Sequence, residues 1–121
     1  MAAAEERIAR HIVETRYADL PETAVEKVRT FLLDTVGVGI AGSCGANIDA
    51  LRALGETWGN QPEASVFTEA GKISAQSAAM VNGYQIHCLE YDCVHEGAVL
   101  HPMATIIAAV MAWVEREEGR G

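Results

Sequence analysis

A mainly α fold, with about five helices and one short extended segment, is what this 121-residue sequence predicts. Three observations carry that prediction. Apolar residues recur at helical spacing along most of the chain. Residues that favour helix starts, Asp19, Asn47, Ser74 and Pro102, stand ahead of those stretches. One β-like run, Ser65-Val66-Phe67-Thr68, interrupts them.

Half the residues are hydrophobic, which excludes a disordered chain lacking the apolar surface to offset ordering entropy. Aromatics are only 6%, so aliphatic side chains have to fill the core. A formal net charge of −8 argues against nucleic acid as a partner, because such binding needs a basic face. Three sparse cysteines do not form a disulfide framework, and a reducing cytoplasm is the simplest setting. The N-terminus carries early acids and lacks the apolar stretch of a signal peptide.

The first helix is expected over Ala2 to Tyr17, with Ile8, Ile12 and Val13 on one side. Asp19 as N-cap, Pro21 in the first turn and Glu22 as the box partner predict a second helix start. From there Val25, Val28, Leu32, Val36 and Ile40 keep helical spacing, with Phe31 and Thr35 widening the stripe, until Gly42-Ser43-Cys44-Gly45. Asn47 opens a third helix to about Trp58. The Gly59-Asn60-Gln61-Pro62 cluster is a turn, the β-like run follows, and Gly71 turns the chain again. Ser74 caps a fourth helix to about Glu90, and Pro102 starts a fifth ending near Glu118.

The fifth helix contains the longest apolar run, Met103 to Val114. It is shorter than the roughly 20 residues needed to cross a membrane, and it is apolar nearly all round, so it is expected to be buried on several sides. Glu115, Glu117 and Glu118 gather at its unfavourable negative end and are expected to be solvated. Trp58 and Trp113 read as packing residues.

Gly37-Val38-Gly39-Ile40-Ala41-Gly42 matches G-x-G-x-x-G. A dinucleotide loop needs a preceding strand and a helix starting inside the motif. Here a helical stretch precedes it and a breaker follows. The glycines therefore read as small residues where a neighbour packs closely.

Chemistry concentrates between His87 and Pro102, which hold three histidines, two cysteines and the carboxylates Glu90, Asp92 and Glu96. On a helix, Gly83, His87 and Glu90 share a face. Asp92 and His95 fall in or near the loop, and His101 stands at the start of the apolar helix. Imidazoles near carboxylates suit proton transfer at neutral pH. The same residue types also fit a polar helix-to-loop junction with solvated charges. Cys88, Cys93, His95 and His101 are all accepted zinc ligands, but their spacing is not a standard one and no C-x-x-C is present. No local cue marks a cysteine as an activated nucleophile.

Three segments resemble the N-terminal part of the MmgE/PrpD family, which includes 2-methylcitrate dehydratase, cis-aconitate decarboxylase and iminodisuccinate epimerase. They are Phe31-Leu32-Leu33-Asp34-Thr35-Val36-Gly37-Val38 through Ala41-Gly42-Ser43, then Ala78-Ala79-Met80-Val81-Asn82-Gly83, and finally Leu89-Glu90-Tyr91-Asp92-Cys93-Val94-His95 with His101-Pro102. The last resembles the family pattern L-D-F-D-D-T-H…H-P. Glu90 takes the place of its first Asp, Asp92 matches the next, and His95 and His101 match its histidines. Cys93 and Val94 replace an Asp and a Thr.

The resemblance implies a lyase acting on small di- and tricarboxylic acids by proton abstraction beside a carboxylate. It implies no metal or organic cofactor, and a homo-oligomer. His101 would be the best proton-transfer candidate, while Glu90, Asp92 and His95 orient groups or shape charge. Family members are much longer, with a further α+β domain. The expectation is therefore that residues 1–121 are part of the helical domain, inactive alone and completed by further or complementary chain. A second reading is a non-catalytic helical module that dimerises or binds a partner through Met103–Val114.

Overall fold

A computed structural model of the chain describes residues 3–59 and 61–118. Five α-helices and a two-stranded sheet are present among these residues, so the fold is mainly α. The helices are α1 (Ala4–Glu14), α2 (Glu22–Ala41), α3 (Ile48–Thr57), α4 (Ala75–His87) and α5 (Pro102–Arg116), with strands β1 (Ala64–Ser65) and β2 (Lys72–Ile73) between α3 and α4. The expected turn at Asn60 lies outside the described residues. No single helix among those described is long and apolar enough to cross a membrane.

The chain divides into two compact units, Met1–Thr30 and Phe31–Gly121. In the first, α1 is amphipathic as its sequence requires, yet Ile8, Ile12 and Val13 all remain exposed. It is shorter than expected, because Thr15 is already extended. Asp19 does not cap α2. It sits in a 3-10 turn, Tyr17–Asp19, where its carboxylate accepts the Arg16 N–H at 2.9 Å. The Pro21 carbonyl opens α2 by accepting from Ala24 and Val25.

In the second unit α4 is the central element, packed against α3, α5 and β1. Ser74 caps it as expected, its Oγ accepting the Ser77 N–H, and Glu63 accepts the Ala75 N–H at 3.0 Å. Its buried residues, among them Ala78, Val81, Gln85 and Ile86, point in several directions. Burying Val81 and Ile86 stabilises the fold by about 2 kcal/mol each. The multi-sided burial expected of the fifth helix thus belongs to the fourth. In α5 only the line Ala104, Ala108 and Ala112 is buried, while Ile106, Val110, Trp113 and Val114 are exposed. Small residues face α4 because they permit close approach: a Cβ at Gly83 would lie 3.3 Å from the Ala104 carbonyl oxygen.

The same logic revises the apolar stripe of α2. Beyond Thr30 its buried residues are Thr35 and Gly39, whereas Phe31, Leu32 and Ile40 are exposed. A Cβ at Gly39 would crowd the Phe67 ring at 2.7 Å, so Gly39 and Gly42 of the G-x-G-x-x-G motif serve packing, as expected, whereas Gly37 faces open space.

The β-like run pairs over less of its length than its composition predicts. Ala64 and Ser65 pair antiparallel with Ile73 and Lys72, around a turn where Gly71 has φ +113°. Beyond Ser65 the backbone turns to α4 for its hydrogen bonds. Asn82 Oδ1 accepts the Phe67 N–H at 2.9 Å, and Asn82 Nδ2 donates to the Ser65 carbonyl at 2.9 Å.

Neither tryptophan is buried: Trp58 and Trp113 are both exposed, and the Arg116 guanidinium lies 5.0 Å over the Trp113 ring. Nor is Glu115 simply solvated. Its Oε2 accepts from Ser65 Oγ at 2.8 Å and the Ser65 N–H at 3.1 Å, and lies 3.0 Å from Lys72 Nζ, which ties α5 to the hairpin. Partial burial alone would raise its carboxyl, but the Ser65 and Lys72 hydrogen bonds and the Lys72 charge outweigh that and hold it below its ordinary 4.5. A depressed carboxylate adds stability that is complete above about pH 4.5 and is lost as pH falls through the folded value. Urea midpoints of wild type and Glu115→Gln are therefore expected to differ at pH 7 and converge once pH has fallen below the folded value. A gap that persists unchanged at low pH would assign the effect to shape rather than charge.

Candidate functional site

The site is built where α4 ends. The helix stops at His87, three residues before the expected Glu90, with the Cys88 N–H closing on the Tyr84 carbonyl. The next turn is tight: Glu90 donates its N–H to the His87 carbonyl at 2.9 Å and adopts φ +53°. This turn brings Asp92 back beneath the helix end, where its side chain is only 1% exposed. The following loop closes on itself through the His95 N–H and the Leu100 carbonyl, 2.9 Å apart, and delivers His101 as the residue capping α5.

Two imidazoles meet on the buried Asp92. His87 Nδ1 is 3.1 Å from Asp92 Oδ1, and His101 Nδ1 is 3.2 Å from Asp92 Oδ2 and 3.2 Å from its backbone oxygen. The rings stand edge to face with centroids 5.0 Å apart. A carboxylate accepts and cannot donate, so each ring presents a proton at Nδ1. The Nε2 lone pair of His101 is then left for chemistry. Glu90 joins from the exposed side, its Oε1 3.4 Å from His87 Nε2.

His87, Glu90 and His101 line a cavity of about 870 Å³ between α3, α4 and α5, with Leu51, Met80, Tyr84 and Ala104 among its apolar walls. Asp92 lies behind this lining. It can hold the histidines in orientation without itself touching a molecule that fills the cavity.

Of the four residues singled out in the sequence, Glu90, Asp92 and His101 converge, and His95 does not. His95 is exposed, and its Nδ1 accepts the Ala98 N–H at 3.1 Å within its own loop. His87 is the member that the sequence-derived set left out. The available signal was its position one turn before Glu90 on a shared helix face. The structure converts that face into a turn while preserving the proximity.

The four residues considered for zinc are not brought together. Among the described residues the group whose ligand atoms lie within 4.8 Å of one another is His87, Asp92 and His101. Both nearby thiols are poor nucleophiles. Burial raises the Cys88 thiol above its ordinary value, and burial with the Asp34 and Asp92 charges raises Cys93.

A family model described as the MmgE/PrpD N-terminal domain matches residues 6–121. A curated relative, the cis-aconitate decarboxylase-like protein oryM of Aspergillus oryzae, is 28% identical over 107 residues. That match covers 86% of this chain and 22% of the relative, so the chain spans about a fifth of that protein's length.

Proposed function

The chain belongs to the MmgE/PrpD family through its N-terminal domain, and on that premise we propose that it carries the proton-transfer side of a lyase site for small di- or tricarboxylic acids. The observation that carries this reading is the pair of imidazoles anchored on buried Asp92 at the wall of a cavity.

His101 Nε2 takes a proton from a carbon beside a substrate carboxylate. The electron pair left behind forms a C=C bond as a leaving group departs with its electrons. Asp92 holds the proton at Nδ1 and stabilises the imidazolium that forms, as a buried carboxylate does for a catalytic imidazole. The His101 imidazolium then returns its Nε2 proton to the departing group, which restores the neutral ring, while His87 lines the same wall between Asp92 and Glu90. The name of the Aspergillus relative supports a carboxylic-acid substrate.

Recognition of a polyanion also calls for positive charge. Among the described residues no Lys or Arg lines this cavity, and the start of α5 contributes its free N–H groups. A second copy or a complementary chain is the proposed source. Cytoplasmic residence belongs to the same proposal, resting on three cysteines that are all free.

The test is a titration of the ¹⁵N-labelled chain with cis-aconitate and with 2-methylcitrate. Perturbation of the His87 and His101 imidazoles and of the Ala104 and Thr105 amides is expected, and His101→Ala should abolish it. Perturbation centred elsewhere, or none, would overturn the reading. In the assembly that turns over, His101→Ala is expected to lower kcat by about 10²–10⁴.

A further inference from the structure

His87, in this cluster, carries a carboxylate at both ring nitrogens: Asp92 at Nδ1, 3.1 Å away, and Glu90 at Nε2, 3.4 Å away. A neutral imidazole has one proton and can satisfy only one of them. A second ring proton would resolve the mismatch, and so would a cation at Nδ1, since the ring then keeps its one proton on Nε2, facing Glu90. This is the arrangement in which an outer carboxylate orients a metal-bound histidine.

We propose that His87 Nδ1, His101 Nδ1 and the Asp92 carboxylate form a binding site for a divalent transition-metal ion of the zinc type. Two imidazole nitrogens and a carboxylate are a ligand set that such ions accept while keeping positions open. Asp92 Oδ2 lies 3.4 Å from His87 Nδ1 and 3.2 Å from His101 Nδ1, which matches the roughly 3.0–3.4 Å between neighbouring ligands around an ion held by bonds of roughly 2.1 Å. The two histidines are 46% and 30% exposed while Asp92 is covered. The ion therefore has an entry path from the cavity and an anionic floor.

Binding exchanges the His87 Nδ1–H bond to the Asp92 carboxylate and the His101 Nδ1–H bond to the Asp92 carbonyl for three bonds to the ion. Each neutral ring moves its proton from Nδ1 to Nε2, so the histidines release no net proton. One consequence reaches the acid–base reading above: metal binding places a proton on His101 Nε2, the atom that reading needs unprotonated. Occupancy by metal and proton abstraction at His101 are mutually exclusive.

The experiment is Zn²⁺ titration of the purified chain without substrate, followed by calorimetry and by imidazole ¹⁵N shifts. One ion per chain is expected, with the His87 and His101 rings changing from the Nδ1–H to the Nε2–H form. His87→Ala, His101→Ala and Asp92→Asn are each expected to weaken binding at least about tenfold. Glu90→Gln should weaken it less, and His95→Ala and Cys44→Ser should not change it. Circular dichroism verifies that each variant is folded, and His87→Ala, at a half-exposed position, decides the matter if Asp92→Asn unfolds. Absence of saturable binding, or binding unaffected by His87→Ala and His101→Ala, would overturn the proposal. Because no substrate is present, that failure leaves the lyase reading standing. Failure of the carboxylate titration leaves this proposal standing in the same way.

Discussion

Gly42→Ala is expected to destabilise the chain by about 3 kcal/mol or more, at the upper end of what overpacking costs. A Cβ at this position would coincide with the backbone carbonyl oxygen of Gln85 and would stand 3.1 Å from Cys88 Sγ. Carbonyl oxygens do not swing aside as a side-chain end can. Accommodation requires α4 to move at the turn that presents His87, and Gln85 itself is fully buried. The comparison that isolates the effect is Gly37→Ala, five residues earlier in α2. No atom lies within 4 Å of a Cβ there, so helix propensity alone operates and predicts a gain of about 0.5–1 kcal/mol. Urea unfolding of both variants checks the pair. Equal midpoints would mean that the close contact at Gly42 is not the reason glycine occupies it.

Asp92→Asn is the second large effect, expected at about 2 kcal/mol of stability, from the loss of hydrogen bonds to a charged acceptor. Full burial of two paired charges would predict more, but both histidines are partly exposed and water replaces some of what is lost. An amide has one acceptor oxygen where the carboxylate has two, so one imidazole loses its side-chain contact, although His101 keeps the backbone oxygen of residue 92 at 3.2 Å. It also places an N–H₂ donor against a ring nitrogen that already carries a proton. The expected signature is therefore specific: reduced urea stability together with a change of tautomer in His87 or His101, read from imidazole ¹⁵N shifts. A stability loss with both rings unchanged would show that Asp92 serves the loop rather than the histidines.

Both predictions concern contacts that the helical period does not place, one across 43 residues and one around a turn between α4 and α5. Local signals were legible. Ser74 marks the start of α4 through a hydrogen bond only three residues long, and Pro102 opens α5 because a first-turn residue needs no N–H partner. The segment from His87 to His101 stood out as the chemical centre from its residue types. The choice among its members was not legible. His87 and Glu90 were placed on one helical face, yet the helix ends between them, and it is the turn at Glu90 that returns Asp92 to the pair. His95 has the chemistry of a site residue, but its own loop claims it.

The burial pattern divides in the same way. Hydrophobicity marked α5 for enclosure, but the described structure covers only its alanine line and leaves Trp113 and Val110 exposed. Close packing of α5 on α4 rewards small side chains at the contact, and hydropathy does not report that preference. By itself the sequence determined a mainly α chain, the starts of its later helices and the polar segment where chemistry resides, because those depend on neighbours within a turn or two. Only the tertiary structure decided that Asp92 is buried, that His87 and His101 share it and that His95 does not, because these depend on where α4 stops and how closely α5 returns against it.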